Sequence, residues 1–154
     1  MPSAQASDSL SHGKIPIGEQ ENAQTAADEF KAGRYDSASA IYQAMADGHP
    51  GSLYAWSNLG ISRFQEGKLK EAREALQHAV ALNPKDALSR AALGITDYGL
   101  GAFQDAVDNL EAAVVLNPGD AMAHEYLGNS YEAVGMKEEA KTEHQRALDL
   151  RKIP

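Results

Sequence analysis

Apolar residues recur along this chain at the three- and four-residue spacing of a helix, in short runs broken by glycine and proline. Trp56, Leu59 and Ile61 form one run, which stops at Gly67. Leu69, Ala72, Leu76, Ala79 and Val80 form the next, which stops at Asn83-Pro84. A glycine allows the φ > 0 that ends a helix, and a proline forbids its continuation. Each run predicts a helix of about 14 residues, ~21 Å long. Ser52, Asp86 and Asp120 stand where the following helix needs an N-cap oxygen.

The pattern repeats. A shift of 34 residues superposes Leu59, Leu93 and Leu127, then Gly60, Gly94 and Gly128. The same shift aligns Gly33, Gly67, Gly101 and Gly135, and Ala38, Ala72, Ala106 and Ala140. It also aligns Ala79, Ala113 and Ala147, and Pro50, Pro84 and Pro118. Between 53–86 and 87–120, 12 of 34 positions are identical without a gap. The units are 19–52, 53–86, 87–120 and 121–154, and the first is the most degenerate, with Thr25-Ala26 where the others have Leu-Gly. Gly60 and its equivalents lie inside a helix, where glycine costs about 1 kcal/mol against alanine. Close approach to the second helix, through its small Ala72 and Ala79, is the expected compensation.

Trp56, Leu59, Gly60, Gly67, Ala72, Ala79 and Pro84 together resemble the motif of the tetratricopeptide repeat (TPR) family, a 34-residue helix–turn–helix. The third unit keeps Leu93, Gly94, Gly101, Ala106, Ala113 and Pro118 but has Arg90 where the family often has Trp. The fourth keeps Leu127, Gly128, Tyr131, Gly135, Ala140 and Ala147 but has Lys152 at the proline position. The resemblance covers 19–154. It implies an all-α fold, an α-solenoid in which antiparallel helix pairs wind into a right-handed superhelix with a concave face lined by first helices.

Composition narrows the function. The chain has 154 residues, 43% hydrophobic, with 27 alanines and no cysteine. Disulfides, thiolate zinc sites, iron–sulfur clusters and cysteine nucleophiles are thereby excluded. The longest apolar run, Ala112 to Leu116, is far short of the ~18–20 residues of a membrane span. A net charge of −8 argues against a nucleic-acid partner. Met1-Pro2-Ser3-Ala4-Gln5 lacks the basic and apolar segments of a secretion signal. The expected compartment is the cytoplasm, or the periplasm or envelope if a signal has been removed.

Both ends differ from the middle. Residues 1–18 show no helical period and read as a flexible tail, although Ile15-Pro16-Ile17 could cover the first repeat. At the other end, His144 replaces Leu76 and Leu110, and Lys141 replaces Val107. Residues 137–152 are therefore expected to be a polar cap on the array, the alternative being a boundary inside a longer protein.

An array of this kind has no chemistry of its own, so function rests on its groove. Tyr54, Ser57, Ile61 and Phe64 fall on one stripe of the second unit's first helix. The matching stripes are Leu88, Ala91, Ile95 and Tyr98, then Met122, Glu125, Asn129 and Glu132, with Gln20, Ala23, Ala27 and Phe30 in the first unit. By the resemblance these are the ligand-facing positions. They predict a groove apolar in its middle and acidic at Glu125 and Glu132, suited to an apolar or amphipathic protein segment with a basic flank. The alternative is that Ile61, Ile95 and Leu88 are buried between neighbouring first helices. The carboxylate clamp of co-chaperone TPR domains is not reproduced. Asn58 matches its asparagine, but Ala23, Ala27, Leu88 and Ala92 stand at the other clamp positions and supply no cation.

Catalytic constellations are missing from the sequence. His12, His49, His78, His124 and His144 show no metal-ligand spacing, and no phosphate loop, G-x-G-x-x-G or G-x-S-x-G motif occurs. No carboxylates are expected to be buried side by side. The units carry −4, +1, −4 and −1. Arg63, Lys68, Lys70, Arg73 and Lys85 make the second locally basic, while Asp97, Asp105, Asp108 and Glu111 make the third acidic. The reading is a non-enzymatic interaction scaffold without cofactor or metal, binding a protein or peptide. The alternatives are a self-associating homo-oligomeric array and an accessory TPR segment of a larger assembly or enzyme.

Overall fold

The structure, a computed structural model, describes residues 13–154. Up to residue 12 the expected flexible tail lies outside the described residues. The described residues form eight helices: α1 (Gln20–Lys31), α2 (Tyr35–Gly48), α3 (Leu53–Gln65), α4 (Leu69–Leu82), α5 (Ala87–Gly99), α6 (Phe103–Leu116), α7 (Ala121–Ala133) and α8 (Lys137–Arg151). They divide into two compact units, one running to Pro84 and one from Lys85 to Pro154, each of two helical hairpins. Among the described residues no helix is long and apolar enough to cross a membrane.

The turn inside every hairpin is built the same way. Gly33, Gly67, Gly101 and Gly135 have φ between +77° and +86°. The residue after each glycine donates its N–H five residues back, as Lys68 does to the Arg63 carbonyl at 3.0 Å, and the glycine N–H donates three back. This is the Schellman closure, which requires the left-handed residue that glycine supplies without strain. The turns between hairpins use side-chain caps instead. Ser52 Oγ accepts from Ala55 N–H at 3.1 Å, Asp86 Oδ2 from Ser89 N–H at 3.0 Å, and Asp120 Oδ1 from Met122 and Ala123 N–H at 3.0 and 3.1 Å. These are the N-caps expected from sequence.

Packing inside a hairpin differs from the alanine-on-glycine contact expected. A Cβ on Gly60 would stand 2.4 Å from Leu76 Cγ, and one on Gly94 would stand 2.6 Å from Leu110 Cγ. The glycines make room for a large side chain of the facing helix, and only the 3.2 Å approach of the Ala72 carbonyl involves the small residues. Leu76 and Leu110 are thereby completely buried. In the unit up to Pro84, Tyr42 and Tyr54 join α2 to α3 edge to face, with ring centroids 6.0 Å apart.

At the N-terminal edge, Glu19 N–H donates to the Pro16 carbonyl at 3.1 Å. Ile15 and Pro16 are half-buried and Ile17 is exposed, and the three flank the turn at His49–Leu53. At the C-terminal edge α8 carries a mostly solvated surface. Lys141 lies in water, and His144 is half-buried with Nε2 at 3.0 Å from Asn129 Oδ1.

Candidate partner-binding surface

The stripe of expected groove residues separates into core and surface. Ser57 and Ile61 are wholly buried, Ile95 is 1% exposed, and Tyr54 and Met122 are 6% and 7% exposed. An open groove floored by Ser57, Ile61 and Ile95 is therefore corrected: these side chains are core, where burying Ile contributes about 2–3 kcal/mol of transfer free energy. Within the unit from Lys85 the cause is direct, because α5 packs against α7 and its Ala91–Ile95 side is closed off. Phe64, Leu88, Tyr98, Glu125 and Asn129 are half-buried, and Glu132 is exposed. Of the positions expected in the second to fourth repeats, only these six present atoms to solvent in appreciable amount.

Tyr98 organises the surface of the unit from Lys85. Its ring lies 5.6 Å from Tyr126 of α7 in an edge-on arrangement and 5.4 Å from Phe103, the first residue of α6. All three rings are partly exposed, Phe103 to 36%. Sequence reading picked out Tyr98 alone. Tyr126 and Phe103 sit off its helical stripe and are joined to it by tertiary packing. Glu125 adjoins Tyr126 on α7 and pairs with Arg151 at the end of α8. The third repeat, which carries Tyr98 and Phe103, has a net charge of −4. Partly exposed aromatic rings in an acidic repeat attract guanidinium and ammonium groups, at about 0.5–1 kcal/mol for each exposed cation–π contact.

The fourth position of each repeat, where the sequence shows Trp56, Arg90 and His124, makes a second set of contacts that the sequence did not predict. Trp56 stacks on His78 with centroids 4.2 Å apart, and its indole N–H donates to the Pro50 carbonyl at 2.9 Å. In the next repeat Arg90 donates to Asn109 Oδ1 at 3.0 Å, and Asn109 donates to the buried Asp97 at 2.9 Å. In the last, His124 places Nε2 at 2.9 Å from the Pro118 carbonyl and Nδ1 at 2.5 Å from Glu143. Glu143 is 7% exposed and also accepts from Arg146 at 2.6 Å. The polar cap expected at α8 thus carries a buried carboxylate that the sequence did not predict. The signal was available: His124 and Glu143 stand at the 34-residue equivalents of Arg90 and Asn109.

Tyr131 donates to Glu111 at 2.6 Å, and its burial, reinforced by that carboxylate, raises the phenol far above its ordinary value. Among the described residues no group of three or more His, Asp or Glu side chains is placed to hold a metal ion.

Tetratricopeptide repeat models match residues 29–94 and 91–151, which together span most of the chain. The chain belongs to the TPR family. Solved structures agree with this TPR fold. MamA from Desulfovibrio magneticus RS-1 is 20% identical with a TM-score of 0.80, over 89% of this chain and 77% of that one. TTC0263, a thermophilic TPR protein of Thermus thermophilus, is 23% identical with a TM-score of 0.72, over 86% and 74%. The first TPR of Spaghetti (RPAP3), bound to HSP90 peptide SRMEEVD, is 23% identical with a TM-score of 0.73, over 80% and 97%. At these identities the likeness is one of fold. No curated protein matches the sequence. A TPR chain is a protein-interaction module, of a family that is in general non-catalytic.

Proposed function

We propose that this TPR chain is a scaffold that holds an apolar or amphipathic protein segment with a basic flank, without catalysing a reaction on it. One observation carries the reading: the half-exposed Tyr98, Tyr126 and Phe103 cluster, set in the acidic third and fourth repeats. The apolar side chains of the segment pack on the rings and on Leu88, and its Lys or Arg side chains approach Glu125, Asn129 and Glu132. Phe64 offers a separate apolar contact in the unit up to Pro84. An acidic peptide, such as the SRMEEVD named with the RPAP3 domain, fits poorly here. Asn58 is wholly buried, and Ala23, Ala27, Leu88 and Ala92 supply no cation for a carboxylate.

The test is a peptide array of amphipathic segments with basic, neutral or acidic flanks, probed with wild type and with Tyr98→Ala. The reading requires selection of basic-flanked peptides and loss of that selection in the variant. Equal retention of acidic and basic flanks would remove it. The alternative, self-association, is favoured by Val115, Leu148 and Ile153, which are 78%, 51% and 68% exposed. Light scattering across concentration separates the two, because a monomer at about 100 µM removes an oligomer of micromolar affinity.

A further inference from the structure

The residue at the fourth position of each repeat has a fixed address, and in the first repeat that address is empty of a large side chain. Trp56 lies over His78, Arg90 over Asn109 and His124 over Glu143, so this position covers the second and third turns of its own second helix. The equivalent residue in the first repeat is Asn22. Its short amide bends back to Glu19 Oε2 at 2.6 Å instead of reaching across. What remains is a hollow of about 320 Å³ between α1 and α2, lined by Glu19, Asn22, Ala40, Ile41, Ala44 and Met45. Its size falls at the lower end of the ~300–1,000 Å³ of small ligand sites.

We propose that this hollow is a socket for a tryptophan side chain presented by a basic segment of another protein. The chain itself carries the template. Its one tryptophan, Trp56, fills the equivalent space 34 residues later, with its ring on the second helix and its N–H on an oxygen. In the first repeat the floor is more apolar than there: Ile41 replaces Ala75, Ala44 replaces His78 and Met45 replaces Ala79. The Glu19 carboxylate on the lining, whose Oε1 lies 3.3 Å from His49 Nε2 and whose Oε2 accepts from Asn22, keeps further lone pairs for an indole N–H, as the Pro50 carbonyl accepts that of Trp56. Charge selects the flanks. The first repeat carries six carboxylates against Lys31 and Arg34, net −4, so lysine or arginine beside the tryptophan is drawn in and acidic flanks are repelled. A second copy of this chain is a poor donor, because Trp56 is already stacked.

The experiment titrates the full chain with a blocked Lys-Trp-Lys tripeptide and follows the two-dimensional amide spectrum. Wild type is expected to bind saturably with Kd at or below about 1 mM, with shifts confined to α1 and α2, and to bind Lys-Ala-Lys at least about tenfold more weakly. Asn22→Trp places an indole in the socket, and Ala44→Leu fills it from the opposite helix. Each is expected to abolish binding while keeping the helical spectrum, whereas Lys70→Ala, at an exposed position of α4, binds as wild type. Failure of wild type to bind, or equal binding by both socket-filling variants, overturns the proposal. Shifts centred on Tyr98, Tyr126 and Phe103 instead of α1 and α2 do so too, because they would assign the tryptophan to the aromatic cluster of the third and fourth repeats.

Discussion

His124 makes in the fourth repeat the hydrogen bond that Trp56 makes in the second: each ring nitrogen lies 2.9 Å from the carbonyl of a proline six residues earlier. The two rings differ in what else they meet. Trp56 stacks on His78, whereas His124 meets the carboxylate of Glu143. Removing His124 leaves that carboxylate in the core with Arg146 as its remaining cation. His124→Ala is expected to cost about 2 kcal/mol in urea denaturation, since a buried hydrogen bond to a charged group is lost. His124→Leu with Glu143→Leu should recover most of the loss. A single-variant loss below ~1 kcal/mol would mean that the pair is not buried in solution.

The helical glycines are expected to rank by what faces them. Alanine gains about 1 kcal/mol of helix propensity over glycine. At Gly60 and Gly94 the added methyl meets the branch point of a buried leucine, and overpacking costs about 1–3 kcal/mol. At Gly128 it meets the ring of the half-buried His144 at 2.4 Å. That ring can swing toward solvent at the loss of its bond to Asn129. Thermal melts should therefore order Gly128→Ala above Gly94→Ala and Gly60→Ala, and the reverse order would contradict this packing.

Asp120 caps α7 by accepting from two backbone N–H groups, Met122 and Ala123, so Asp120→Ala should lower stability by about 1 kcal/mol. Glu19, at the equivalent place before α1, makes no side-chain cap. Glu19→Ser is expected to raise stability by a few tenths to about 1 kcal/mol in the same assay.

Alkaline pH should unfold the chain cooperatively. Burial raises the phenols of Tyr42, Tyr54 and Tyr131, with Glu111 adding to the last. The unfolded phenol loses its proton near pH 10 and the folded ones later, so the unfolded state holds fewer protons in that range. Stability from these groups is thus complete below about pH 10 and falls as the pH rises further. Circular dichroism at rising pH should show a transition that moves upward in Tyr42→Phe. A transition unmoved by that change would remove Tyr42 from the cause.

The sequence alone determined the repeat and its elements, because both depend on local chemistry. Gly67 and Gly101 close Schellman turns through their own positive φ, and Asp86 and Asp120 cap the helix they precede. A fixed period of 34 then copies the same hairpin. Tertiary structure decided which apolar residues are surface. A helical stripe records only direction about an axis, so Ile95 and Tyr98 look alike until α7 closes over the first and leaves the second beside Tyr126. The same holds for Glu143, whose charge reads as solvated until His124 reaches it from 19 residues away. Burial and pairing belong to neighbours that the one-dimensional pattern does not name.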